Sequence, residues 1–139
     1  NDTTATNPTA VLVALQSLAQ KYQRPINLIA GGQDKNLDYK KMAQAINHQV
    51  KKLILLPGSA TEKLKKHLRL NPIRKTSSSN GAGFLEVKNM KEAVQAAYHL
   101  SEPGDLILLS PGAASFNLFQ NEFDRGNQFN KFVKQLISK

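Results

Sequence analysis

The sequence has 139 residues, 40% of them hydrophobic and 21% charged, and no cysteine. That composition suits one soluble cytoplasmic domain and excludes disulfides, thiolate metal sites and a cysteine nucleophile; no apolar run approaches the roughly 20 residues that span a bilayer. The formal charge of +9 is unevenly placed: eleven of the nineteen Lys and Arg lie between Lys35 and Lys75, against only Asp38 and Glu62.

The chain opens on "NDTTATNP", a run of small, mostly polar residues. Asn7 followed by Pro8 reads as a helix start, because Asn caps free amides and Pro needs no donor in the first turn. The helix continues through Val11, Leu12, Leu15, Leu18 and Ala19. "INLIAGG" (26–32) and "KLILLPG" (52–58) are short apolar runs ending in glycine, as strands buried on both faces do. Between them Tyr39, Met42, Ala43, Ile46 and Val50 follow a helical spacing behind Asp38, the expected N-cap. "TEKLKKHLRL" places its lysines as on a solvated helix face, and "KTSSSNGAG" (75–83) reads as a surface loop. "FLEV" (84–87) is a weaker strand candidate. Met90, Ala93, Val94 and Ala97 form a helical face behind Asn89, "DLILLSPG" (105–112) is a further strand, and Phe129, Phe132, Val133, Leu136 and Ile137 line a last helix.

Strand and helix alternate throughout. The expected fold is a Rossmann-like three-layer α/β sandwich, a mostly parallel sheet with helices on both faces and right-handed crossovers. In such a fold a strand should precede the opening loop. The chain is therefore expected to be a piece of a longer protein, its first strand truncated.

The lysine excess raises nucleic acid as a partner, since phosphate neutralisation needs such clusters. Yet Tyr39 is the one aromatic residue of that segment, so bases find no stacking platform. A solvated basic face that attracts anions is the expected role.

In open α/β sheets, ligands sit at the carboxyl ends of the strands. Three loops qualify there: "NDTTATNP", "GGQDKN" and "SPGAASFNLF". Small residues let the backbone approach a ligand, hydroxyls donate, and helix N-termini favour anions, with Lys35 as countercharge. Carboxylate or phosphate groups fit such a site. Two other readings stay open: tight turns with capping residues only, or a stand-alone Rossmann-like module that binds a small anion or nucleotide.

Together, "NDTTATNP", "LIAGGQDK" and "LLSPGAASFNLFQNEFDRGNQF" carry a resemblance across essentially the whole chain. The sequence resembles the C-terminal domain of the Mur ligases, in the branch that adds D-glutamate to UDP-N-acetylmuramoyl-L-alanine. The resemblance implies an ATP-dependent amide ligation through an acyl phosphate. It places the P-loop, the Mg2+ ligands and a modified lysine in a central domain preceding this one, and no catalytic residue or metal ligand in residues 1–139. By the same resemblance, Thr6 and Lys35 match positions that hold one carboxylate of D-glutamate. Ser115 matches the hydroxyl serving the other, with backbone amides near Phe116 to Phe123 assisting. Asp2 matches an acid that reaches the nucleotide ribose, and Asn7 lies in the same loop, where a cap is the simpler role. Phe116, Phe119 and Phe123 sit at near-helical spacing, as core residues do. Arg125 and Gly126 are expected at a junction between the last two helices. His48, His67 and His99 read as structural or solvated. One departure stands out: many relatives have Asp-Ser-Lys-Ala-Thr-Asn in the first loop, and Thr4 here replaces that lysine.

Overall fold

A computed structural model of the chain describes residues 1–73, 82–115 and 118–137. Ten elements follow in chain order: α1 (Pro8–Tyr22), β1 (Ile26–Ala30), α2 (Lys40–Gln49), β2 (Val50–Leu55), α3 (Ser59–Lys65), β3 (Asn71–Pro72), β4 (Gly83–Glu86), α4 (Met90–Leu100), β5 (Leu106–Leu109) and α5 (Glu122–Ile137). The strands form one sheet in the order β3-β4-β2-β1-β5. Every pairing is parallel.

Both sheet faces are covered, and the two-residue period of each strand sorts its side chains between them. Leu28 and Ala30 of β1, Leu53 and Leu55 of β2 and Leu108 of β5 join Val11, Leu15, Met42, Ala43, Ile46 and Leu64 from α1, α2 and α3. Ile29, Ile54 and Leu109 face the opposite way, against Met90, Ala93, Val94 and Ala97 of α4 and Phe129 of α5. The sheet is thus the middle of three layers.

Helix ends follow local chemistry. The Asn7 carboxamide accepts from the Ala10 amide at 2.9 Å, with Pro8 opening α1. Asn89 caps α4 through the Glu92 amide at 2.9 Å, and Glu92 reaches back to the Lys88 amide. At α2 the cap position belongs to Tyr39, and the Asp38 carboxylate accepts from the Lys40 amide just outside the helix. Val50, expected on the helix face, is extended and begins β2. Its β-branched side chain suits a strand, and it caps α2 with its own amide on the Ile46 carbonyl.

Three features escaped the sequence reading. The two-residue β3 at the sheet edge was not expected. Lys52, one of the cations of the basic segment expected to form a solvated face, is buried at 2% exposure on β2. Asn27, inside an apolar strand, is buried because its carboxamide is fully used: it accepts from the Lys52 amide and donates to Ser101 Oγ and Asp105. Of the loop expected at 75–83, residues up to Gly81 lie outside those described.

Candidate functional site at the carboxyl edge

The three loops expected to converge do so, and backbone hydrogen bonds join them. The Gly31 amide donates to the Pro111 carbonyl at 2.9 Å. Gln33 and Ala114 exchange two bonds of 3.0 Å, an isolated antiparallel bridge. The opening loop joins through the Gly112 amide on the Ala5 carbonyl at 2.7 Å, and through the Asp2 amide on the Leu109 carbonyl at 2.6 Å. Such bonds leave few donors idle while fixing the loops to one another.

Between these loops lies a tight, shallow cleft lined by Gly31, Gly32, Gln33, Ala114, Ser115 and Arg125, with Leu56, Pro57, Leu118 and Phe119 completing its wall. It sits at the carboxyl ends of β1, β2 and β5. Glycine is required where the walls meet: Gly58 has φ +145, and a Cβ there would run into the Gly32 carbonyl. That contact lets the start of α3 press against the β1 turn, where the Ala60 amide bonds the Gly32 carbonyl at 2.9 Å.

Arg125 is the buried cation of the site, with 0% exposure. Its guanidinium donates to the Ala113 carbonyl at 2.8 Å, the Thr3 carbonyl at 2.6 Å and Thr3 Oγ1 at 3.2 Å. Burial pushes its pKa down to about 10, with Glu122 opposing. Thr3 Oγ1 in turn donates to the Glu122 carbonyl. Arg125 and Gly126 therefore do not mark a junction between helices. They lie in the first turn of α5 and hold the opening loop: a Cβ at Gly126 would meet the Thr3 side chain, and Asn1 bonds the Gly126 carbonyl at 3.0 Å.

The turn carrying Lys35 is fixed from the other side. The Asp34 carboxylate pairs with Lys63 of α3 and accepts from the Leu37 amide at 3.0 Å, while the Asp34 amide donates to Ser59 Oγ. The Lys63 ammonium holds the Asp34 carboxyl below its usual 3.8, helped by the Leu37 amide against the effect of burial. Lys35 next to it is exposed.

Among the expected site residues, Ser115 is buried and lines the pocket. Thr6 is half-buried, its amide bonded to the Thr4 carbonyl, and neither it nor Lys35 lines the pocket. The Asp2 carboxylate accepts from Ser110 Oγ at 2.9 Å, and Asn7 serves as the α1 cap. Phe119 is buried and belongs to the core. Phe123, expected among core residues, is 62% exposed on the first turn of α5 and outside the pocket lining. Phe116 lies outside the described residues. His48, His67 and His99 are exposed. Sequence reasoning did not single out Arg125 as the clamp or the Asp34–Lys63 pair; an arginine within an otherwise amphipathic helix, facing its apolar side, was the available signal.

Three comparisons bear on this arrangement. The family model described as "Mur ligase, glutamate ligase domain" matches residues 1–113. A UDP-N-acetylmuramoylalanine--D-glutamate ligase of Roseiflexus sp. (strain RS-1) is 44% identical over 135 residues, covering 96% of this chain and 27% of that protein. The protein of the same name from Borreliella afzelii (strain PKo) is 43% identical, covering 98% of this chain and 28% of that protein. The chain thus spans little more than a quarter of the length of these relatives. Among solved structures, a Haemophilus ducreyi domain assigned to a UDP-N-acetylmuramate:L-alanyl-gamma-D-glutamyl-medo-diaminopimelate ligase superposes with a TM-score of 0.60. It covers 94% of this chain and 85% of that one at 14% identity, a likeness of fold alone.

Proposed function

Because the chain belongs to the Mur ligase family through its glutamate ligase domain, we propose that it holds D-glutamate for an ATP-dependent amide ligase of peptidoglycan precursor synthesis. In the proposed reaction the carboxylate of UDP-N-acetylmuramoyl-L-alanine is activated as an acyl phosphate. The amine of D-glutamate attacks it, and phosphate leaves. The observation that supports this reading is the convergence of the three loops at one carboxyl edge, with Ser115 lining their shared pocket.

In the proposed roles, Lys35 and Thr6 hold one carboxylate of D-glutamate and Ser115 holds the other, with Phe116 and Phe123 beside them. Asp2 and Asn7 lie toward the nucleotide. Arg125 is a positioning residue that keeps the opening loop where Thr6 can serve. ATP and Mg2+ are assigned to a central domain of the parent enzyme. The sequence holds no G-x-x-x-x-G-K-[ST] motif, and among the described residues no three His, Asp or Glu cluster to hold a metal. What this domain adds is an oriented amine and a closed, drier site, which protects an acyl phosphate from hydrolysis.

The test is made in the full-length enzyme. Lys35→Ala removes a charge-assisted bond of about 1.5–3 kcal/mol, a roughly ten- to hundred-fold loss of kcat/KM for D-glutamate. The KM for ATP should hardly move. Ser115→Ala should narrow the preference for D-glutamate over an amino acid lacking the side-chain acid. A collapse of ATP affinity in Lys35→Ala with D-glutamate kinetics intact would overturn the assignment.

A further inference from the structure

The basic segment separates, in three dimensions, into paired and unpaired cations. Lys51 pairs with Glu102 and Asp105, Lys63 with Asp34, and Lys65 with Glu62 and Glu86. Among the described residues, Lys40, Lys41 and Arg69 have no such acid. These three line one open pocket together with His48 and His67.

The pocket is held together by one side chain. Asn47 of α2 accepts from the Arg69 amide at 2.8 Å and donates to the His67 carbonyl at 3.1 Å. Both polar atoms of its carboxamide are thereby used to fix the turn after α3 against α2. Leu68 and Leu70 of that turn pack on the core, while His67 and Arg69, alternating with them, are exposed. Cations from two elements thus face one space, with Gln44 as a neutral donor. No lining residue is acidic, and Ala45 is the only apolar one. The neighbouring Asp38 carboxylate accepts from the Lys40 amide at 2.9 Å.

We propose that this pocket is a second anion site, separate from the carboxyl-edge pocket, and that it takes a small molecule bearing two or more linked phosphate groups. Three permanent charges on two elements match a ligand with several charges rather than one. The Arg69 fork and the two ammonium groups are donors suited to phosphate oxygens. The lining has no Phe, Tyr or Trp ring to serve as a stacking platform for bases and no apolar centre such as protein partners bury.

Tripolyphosphate is the probe. Titrated into the purified chain at low salt, it should bind at one saturable site and shift the backbone amides of residues 40–48 and 67–69. Replacing Lys40, Lys41 or Arg69 singly with Gln should weaken binding by about threefold, and all three together by tenfold or more. Gln44→Glu, which adds a carboxylate and removes no cation, should weaken it as well. Lys65→Gln and Lys51→Gln should leave it unchanged, and thermal melts show that each variant is folded. The proposal is overturned if Lys65→Gln weakens binding as much as Lys40→Gln, or if orthophosphate binds as tightly as tripolyphosphate. It is equally overturned if a single-stranded oligonucleotide occupies the same residues and tripolyphosphate does not displace it.

Discussion

Two buried polar side chains make opposite predictions about single substitutions. Arg125 bonds two carbonyls and a hydroxyl, of which the Ala113 carbonyl is buried and the Thr3 groups are partly buried. Arg125→Met keeps the stem but strands those acceptors, at about 1–3 kcal/mol for each buried group left unbonded. A net loss of about 2–4 kcal/mol is expected in urea denaturation, with faster hydrogen exchange at Asp2 and Gly112. Arg125→Lys should recover little, since one ammonium cannot serve the geometry of the fork. Tyr39 is the reverse case. Its hydroxyl is buried without a hydrogen-bond partner among the described residues, and burial, with Asp34 nearby, pushes its pKa up to about 12. Tyr39→Phe removes an unsatisfied group and should leave stability unchanged or higher. A loss above about 1 kcal/mol would contradict the unbonded hydroxyl.

At the scale of elements, the site depends on α3 pressing against the β1–α2 turn. Gly58→Ala would drive a methyl into the Gly32 carbonyl, which is backbone and cannot rotate away. It should cost about 3 kcal/mol or more, where an alanine at an ordinary surface position changes little. The ion pair across the same contact gives a pH signature. The folded-state pKa of Asp34 is depressed, chiefly by Lys63, so its contribution is present above the ordinary carboxylate value of 3.8 and is lost as pH falls through and below that value. In unfolding curves taken between about pH 5 and pH 3, Asp34→Asn should show a shallower decline than the parent chain. An identical slope would mean the pair is solvent-screened. The amino edge holds a similar arrangement. Burial alone would raise the Asp105 carboxyl, but the Glu102 amide, Lys51 and Asn27 together hold it low.

For the molecule as a whole, the expectation is a folded domain without chemistry of its own. With ATP, Mg2+, D-glutamate and UDP-N-acetylmuramoyl-L-alanine supplied, the isolated chain should release no phosphate above background, and the full-length enzyme should restore turnover. Release by the purified chain would refute the division of labour between domains. No helix among the described residues is long and apolar enough to cross a membrane. The charge is also organised at this scale, because acids from the α4–β5 turn, β4 and the β1–α2 turn reach only some of the lysines in the basic segment.

The layered fold was legible in the sequence because periodicity is a local property. Runs such as "INLI" and "LILL", short and bounded by glycine or proline, fit strands under covering helices, although Ile107 on the edge strand β5 stays 37% exposed, and Asn7-Pro8 and Asn89 specify helix starts through bonds to amides three residues on. The carboxyl-edge position of the candidate site followed from the same alternation. Contacts made across long sequence separations were not legible. Nothing near Arg125 in the sequence reveals that its guanidinium closes on Thr3 and Ala113, or that Lys63 neutralises Asp34. Val50 shows the limit within a single element: its spacing fits the helix, yet the sheet claims it, because pairing with Ile26 is available only once β1 lies alongside. Local bonding chose the elements, and which charges and amides met between them was decided by how the three layers packed.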